Sequence, residues 1–181
     1  MSCYISSGVA LGCSDGIGGI RSIWVLGATG ATEPSVSSVS ISGATGPITG
    51  ITGAGTWFNF ELKRNTSSLS QNVTKSFENG TIYFEQVLTA VLYKYDQDKR
   101  NQLKLLSQND QLQIIAVDQN DVQYYLGQVN GMYLSGGSAA TGVALGDRNG
   151  FELIFTGQEP QPANVISGNL SSIFTAGGFN D

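Results

Sequence analysis

The chain has 181 residues, of which 40% are hydrophobic, 9% aromatic and only 13% charged, and its net charge is -5. That length supports one domain with a buried core. The absence of histidine excludes His-based nucleophilic triads and every His-ligated metal site.

Nine Lys+Arg stand against fourteen Asp+Glu, so no basic surplus exists for a broad nucleic-acid face. No apolar run approaches the roughly 20 residues of a membrane-spanning helix. The mean hydropathy is -0.02 despite the scarce charge; polarity therefore comes from Gly, Ser, Thr, Asn and Gln. Twenty-four glycines against four prolines predict turn-rich β structure rather than a helical bundle. Two cysteines, Cys3 and Cys13, are too few for a zinc site or a disulfide scaffold. The opening MSCYISSGVALGC lacks the basic and long apolar regions of a signal peptide, which predicts free thiols and synthesis in the cytoplasm.

Composition divides the chain into three stretches. Residues 1–55 hold twelve of the glycines and only Asp15, Arg21 and Glu33 as charges. Residues 22–26 are an apolar run fit for one strand. From 29 to 55 the chain is Gly/Ser/Thr/Ala-rich with Val36, Val39, Ile41, Ile48 and Ile51 spaced through it. These β-branched residues predict an extended arm that orders when a neighbour covers it.

Residues 56–158 read as a β-sandwich core. Phe58, Phe60 and Leu62 alternate with Asn59, Glu61 and Lys63, the period of a half-buried strand. Residues 65–76 are a polar loop or the polar far end of a long hairpin, with Asn79-Gly80 supplying the turn. Residues 81–94 alternate over fourteen positions, with Ile82, Phe84, Leu88, Ala90 and Leu92 on one face and Tyr83, Val87 and Val91 on the other, apolar enough to need cover on both. Asp96 suits an N-cap for a helix over about 96–108, with an Asp96–Arg100 pair and a leucine edge of Leu103, Leu105 and Leu106. Residues 112–117 and 122–129 pair around the turn 118–121. Asn130-Gly131 and Asn149-Gly150 mark further turns before a closing strand from Phe151. Residues 159–181 form a polar, Gly-rich arm with Ile166, Leu170, Ile173, Phe174 and Phe179 as anchors. The fold class predicted is mainly β: an antiparallel sandwich or barrel with one flanking α-helix and extended N- and C-terminal arms.

No catalytic constellation emerges. Gly16-Ile17-Gly18-Gly19 lacks the flanking strand and helix of a phosphate loop and reads as a turn before a strand. Asp15, Asp118, Asp121 and Asp147 sit in turn contexts. Four N-glycosylation sequons are chance matches in a chain this rich in Asn, Ser and Thr. Tyr83, Tyr93, Tyr95, Tyr124, Tyr125 and Tyr133 on alternating strands suit core or subunit contacts, or a sugar-binding platform. No cofactor or metal ligand set is expected.

The run from GTIYFEQVLTAVLYKYDQDKRNQLKLLSQ to SGGSAATGVALGDRNGFELIFTGQEPQPA, with the opening CYISSGVALGCSDGIGGIRSIWVLG, resembles the major tail tube proteins and related structural proteins of bacteriophages. The shared features are a long hairpin, a short polar helix, two further strands and a GxALGDxNGFxLxFTG closing strand. That resemblance implies a non-enzymatic virion protein, assembled in the bacterial host's cytoplasm, whose copies close into rings of six and stack into the tube that DNA traverses. It implies partners among other tail proteins (sheath, baseplate or terminator), DNA passing without specific binding, and no membrane. Asn59, Glu61, Lys63, Thr81, Tyr83 and Glu85 are the lumen-lining or subunit-interface candidates. Other classes in view are a head-tail connector, a capsid decoration or fibre subunit, and a carbohydrate-binding β-sandwich.

Overall fold

The computed structural model describes residues 8–28, 33–43, 46–174 and 178–180; Cys3 lies outside them. The elements in chain order are β1 (Ile20–Gly27), β2 (Ser35–Ile41), β3 (Ile48–Ala54), β4 (Thr56–Glu61), β5 (Ser68–Ser76), β6 (Thr81–Tyr93), α1 (Gln97–Gln108), β7 (Ile114–Asp118), β8 (Gln123–Leu126), β9 (Tyr133–Ala140), β10 (Gly150–Glu159), β11 (Asn164–Ile166), the single helical turn α2 (Leu170–Ile173) and β12 (Gly178–Asn180). The fold is mainly β, in two sheets, as the alternating patterns predict. An eight-stranded sheet runs β12-β4-β1-β7-β8-β11-β3-β2, and a four-stranded sheet runs β5-β6-β10-β9.

Period-two alternation decides which side chain meets which layer. In β6 the even positions Leu88, Ala90 and Leu92 are buried, and β10 adds Phe151, Leu153 and Phe155 from the same face. They pack against Ile23, Val25, Ile114 and Ala116 of the large sheet, with Leu106 of α1 closing one side. Leu26, Ile115 and Val117, on the opposite face of β1 and β7, enter a second core with Ile48, Ile51, Trp57 and Tyr125. Residues 23–26 of β1 and 114–117 of β7 are thus covered on both faces, which accounts for their unbroken apolar sequence. Trp57 near one end of the large sheet and Ile51 near the other share this second core, and Ile51 bridges Phe174, so the sheet curls around it.

The polar stretch before Asn79-Gly80 is the far arm of a hairpin: β5 pairs with β6 from Ser68↔Thr89 to Ser76↔Thr81. The strand pair at 114–126, the turn at 130–131 and the 97–108 helix also form where the pattern predicts them; Asn149-Gly150 is not a turn, since Gly150 already opens β10, and the reversal lies at 143–147, where Asp147 N–H donates to Ala144 C=O. Gly131 requires glycine, since its φ is +82° and a Cβ there would sit 2.7 Å from Gln111 Cα.

Several expectations are corrected. Residues 35–54 are not an arm awaiting a neighbour: β2 and β3 form a hairpin inside the large sheet, and Ile48 and Ile51 are fully buried in the chain's own second core. Deleting 29–55 would therefore strip that core rather than spare it. The break at residue 55 is compositional only. The C-terminal stretch is likewise built in, through β11 and buried Ile166, Leu170 and Ile173, with Phe174 edge-on to Trp57 at 4.9 Å. Its strands β11 and β12 pair in parallel with β3 and β4, where only antiparallel pairing was expected. A returning segment is free of the reversal a hairpin turn imposes. Residues 8–18 do run outside the sheets and are exposed.

At α1, Asp96 takes the extended N-cap backbone but its side chain caps nothing. Asp96–Arg100 is not among the ion pairs of the described residues, which are Arg21–Asp121 and Arg148–Glu152. Leu103 and Leu106, three apart, share the packed face. Leu105 is set about 100° off that face and is exposed. The strand β9 had no clear alternating signal, because YLSGGSAA carries too few apolar residues to mark a face.

Candidate functional site

Two surfaces are built by this arrangement, and the six sequence candidates divide between them. Cross-strand partners share a sheet face. Thr81, Tyr83 and Glu85 therefore stand on the outer face of the four-stranded sheet, with Ser68, Ser70, Asn72 and Thr74 of β5 beside them. Glu152, Ile154, Thr156 and Gln158 of β10 continue that face, and Gly136 and Ser138 of β9 complete it. The face is rich in hydroxyls and poor in charge: its carboxylates are Glu85 and Glu152, and Glu152 is held by Arg148 at 2.6 Å. Val87 and Thr89 remain half-buried, with no described strand or helix layered over them.

Asn59 and Glu61 lie elsewhere, on the concave side of the curled sheet. The sequence set them opposite an apolar face and so made them solvent candidates. Their own side of β4 is in fact the side of the second core, with Trp57 two residues before Asn59 at its root, while Phe60 and Leu62 on the other side meet the first core. Lys63 stands between the two surfaces, its Nζ 4.9 Å from the Tyr93 ring centre at the end of β6. The six candidates thus do not form one wall.

At the open end of the curl, four adjacent strands place their side chains in rows. Glu61, Ser22, Val117 and Gln123 form the outer row, and Asn59, Trp24, Ile115 and Tyr125 the row beneath. Residues 169–171 border the same cavity, whose volume is about 560 Å³. Arg21 reaches its rim but is engaged with Asp121 at 2.6 Å. Sequence reading singled out Asn59 and Glu61 of this group and missed Trp24 and Gln123, whose strands come together only through the β4-β1-β7-β8 order.

The acidic residues weighed for chemistry serve turns. Asp118 accepts from the N–H groups of Asn120 and Val122, both at 2.8 Å. Asp147 accepts from those of Ala144 at 2.7 Å and Val143 at 2.8 Å, which lower its carboxyl below the ordinary value. The Gly16–Gly19 segment is clipped to the 118–121 turn by Asn120, which accepts from Ile17 N–H and donates to Ile17 C=O. Among the described residues no group of three or more Cys, Asp or Glu could hold a metal ion. No described helix is long and apolar enough to cross a membrane.

Among the described residues Glu159 is the one buried carboxylate, and it too closes a turn, accepting from Asn130 N–H at 2.9 Å and Val129 N–H at 3.1 Å. Burial raises its carboxyl above the ordinary value, offset in part by the N–H groups of Asn130, Val129 and Gly131. Burial, and secondarily the Glu159 charge, also push the Tyr125 hydroxyl up. Glu159→Ala is expected to lower the unfolding free energy by about 1–3 kcal/mol, the cost of orphaned buried donors, measured by chemical denaturation. With its native pKa raised, the folded chain holds this proton more tightly than the unfolded one. That contribution is full below the ordinary carboxylate range and is lost as pH rises through the native value. A thermal-midpoint titration should therefore fall less with rising pH in Glu159→Gln than in the parent.

No family model, no curated protein and no solved structure matches this chain.

Proposed function

We propose that the chain is a structural virion subunit whose copies join edge to edge into rings, six to a ring, and stack into a phage tail tube. The observation that carries this reading is the four-stranded sheet with both edges open. β5 offers nine residues and β9 eight along edges that no described strand pairs. Neither contains proline, and β9 has no charge, so the usual devices that block edge pairing are sparse. Joining β5 of one copy to β9 of the next is a head-to-tail contact that closes into a ring when the rotation allows. The hydroxyl-rich outer face, with Thr81, Tyr83 and Glu85, then becomes the wall toward passing DNA. Its sparse and acidic charge suits transit without adhesion.

A second feature supports self-association. Residues 8–12 and 142–146 are the same pentapeptide, GVALG, and Val9, Leu11, Val143 and Leu145 are all fully exposed. Val73, Phe77 and Ile82 at the far end of the β5–β6 hairpin are also uncovered. Apolar side chains grouped in this way suit contacts between copies or with other tail proteins.

Negative-stain electron microscopy of the purified chain, with light scattering on the same sample, tests the reading. Six-fold rings or tubes are expected. Rings of another symmetry would favour a connector, and a strict monomer across concentration and salt would overturn the proposal.

A further inference from the structure

We infer that residues 8–12 of one copy pack on residues 142–146 of the next, so that the repeated pentapeptide binds itself across each joint. This contact rests on the edge-to-edge assembly proposed above and adds to it the segment that locks each joint. The repeat runs past GVALG: two positions on, Asp15-Gly16 in one segment matches Asn149-Gly150 in the other. Each segment is followed by a strand, β1 or β10. Within one chain the two do not meet, since Val9, Leu11, Val143 and Leu145 are all fully exposed.

The topology brings the two together between copies. Successive strands of the β5-β6-β10-β9 sheet are antiparallel, so the start of β5 and the end of β9 lie at one end, on opposite edges. The 142–146 segment follows closely on Ala140 of β9 and is held as a turn by Asp147, which accepts from the N–H groups of Val143 and Ala144. Residues 17–20 pass the start of β5, where Ile20 N–H donates to Ser67 C=O and Ile17 lines a hollow with Ser68 and Leu69. Rotation about a ring axis keeps that end common to every copy. When β5 of one copy meets β9 of the next, the 8–12 segment is therefore delivered to the neighbour's turn. Ile17 to Leu11 spans about 20 Å when extended, against a strand spacing of about 4.8 Å at the joint. Residues 8–12 make no hydrogen bond to another described residue, so they can take the shape the turn requires. Identical segments can pack about a local two-fold axis, which sets Val9 on Leu145 and Leu11 on Val143 and takes all four out of water.

The test uses the full chain with both native cysteines replaced by serine. One batch carries Val9→Cys and a second Leu145→Cys; equal parts are mixed, assembled and mildly oxidised. Mass spectrometry of the unreduced product should show disulfides between positions 9 and 145. These should exceed links between like positions at least about tenfold, because facing positions meet at millimolar effective concentration. Val9→Cys mixed with Phe77→Cys, exposed at the far end of the β5–β6 hairpin, is the control and should link no more than like positions do. Leu11→Lys should raise the concentration at half-assembly at least about tenfold, as loss of one buried leucine implies, and Leu11→Lys with Val143→Glu should restore it. The positions changed are exposed in the single chain, so the variants keep the fold. Rings without links between 9 and 145, or a Leu11→Lys chain that assembles like the parent, would overturn this inference and leave the assembly reading standing. In a chain carrying both Val9→Cys and Leu145→Cys, links confined to single chains would overturn it too. A strict monomer without links would overturn both.

Discussion

Trp57→Ala should lower the unfolding free energy by about 3–5 kcal/mol, the range for removing a large aromatic from a packed core. Trp57 is fully buried, and its ring lies 4.9 Å from Phe174 and 6.4 Å from Tyr125. Those partners come from the C-terminal segment and from β8, so this one side chain joins β4 to parts of the chain more than sixty residues away. The curl has no alternative filling at that point, and a cavity would remain. Trp57→Phe should cost less, since it keeps an aromatic ring and discards an indole N–H that is buried without a partner among the described residues. Denaturant midpoints followed by circular dichroism measure both. A loss below about 1 kcal/mol for the alanine variant would mean that the second core is not part of the cooperative fold.

The second large effect falls on assembly. Ser70 of β5 and Ser138 of β9 are exposed, on the outer face, one at each open edge. If β5 of one copy pairs with β9 of the next, Ser70→Lys with Ser138→Lys brings like charges together along every joint. Rings and tubes should be lost at low salt and recover near 1 M, where screening acts within about 3 Å. Ser70→Lys with Ser138→Glu should assemble like the parent. Monomer stability should change by no more than about 0.5 kcal/mol, as for ordinary surface substitutions. Sedimentation and electron microscopy distinguish the variants; tubes that form unchanged from the double lysine at low salt would refute edge pairing between these strands.

The reach of sequence reasoning follows from the range of the signals it uses. Alternation in 81–94, the Asn79-Gly80 and Asn130-Gly131 turns and the three-turn helix are local, and each lies where its pattern sets it. Histidine's absence, the low charge and the mainly β class were likewise legible without coordinates. Residues 29–55 were misread because Gly, Ser and Thr look like linker, and nothing local reveals that Ile48 and Ile51 face Trp57 and Ile173. Burial on both faces of β1 depends on a sheet that curls, and curling depends on β3 and the C-terminal segment meeting beyond β8. The candidate site divides in the same way. Asn59 and Glu61 were visible as the polar half of an alternating strand, but their partners Trp24 and Gln123 come from strands joined only by pairing order. The sequence by itself determined the secondary structure and its two-faced strands, because those are contacts among near neighbours. Which face meets water, which closes a cavity and which edge stays open was decided by tertiary structure, since each depends on long-range pairing that no local period encodes.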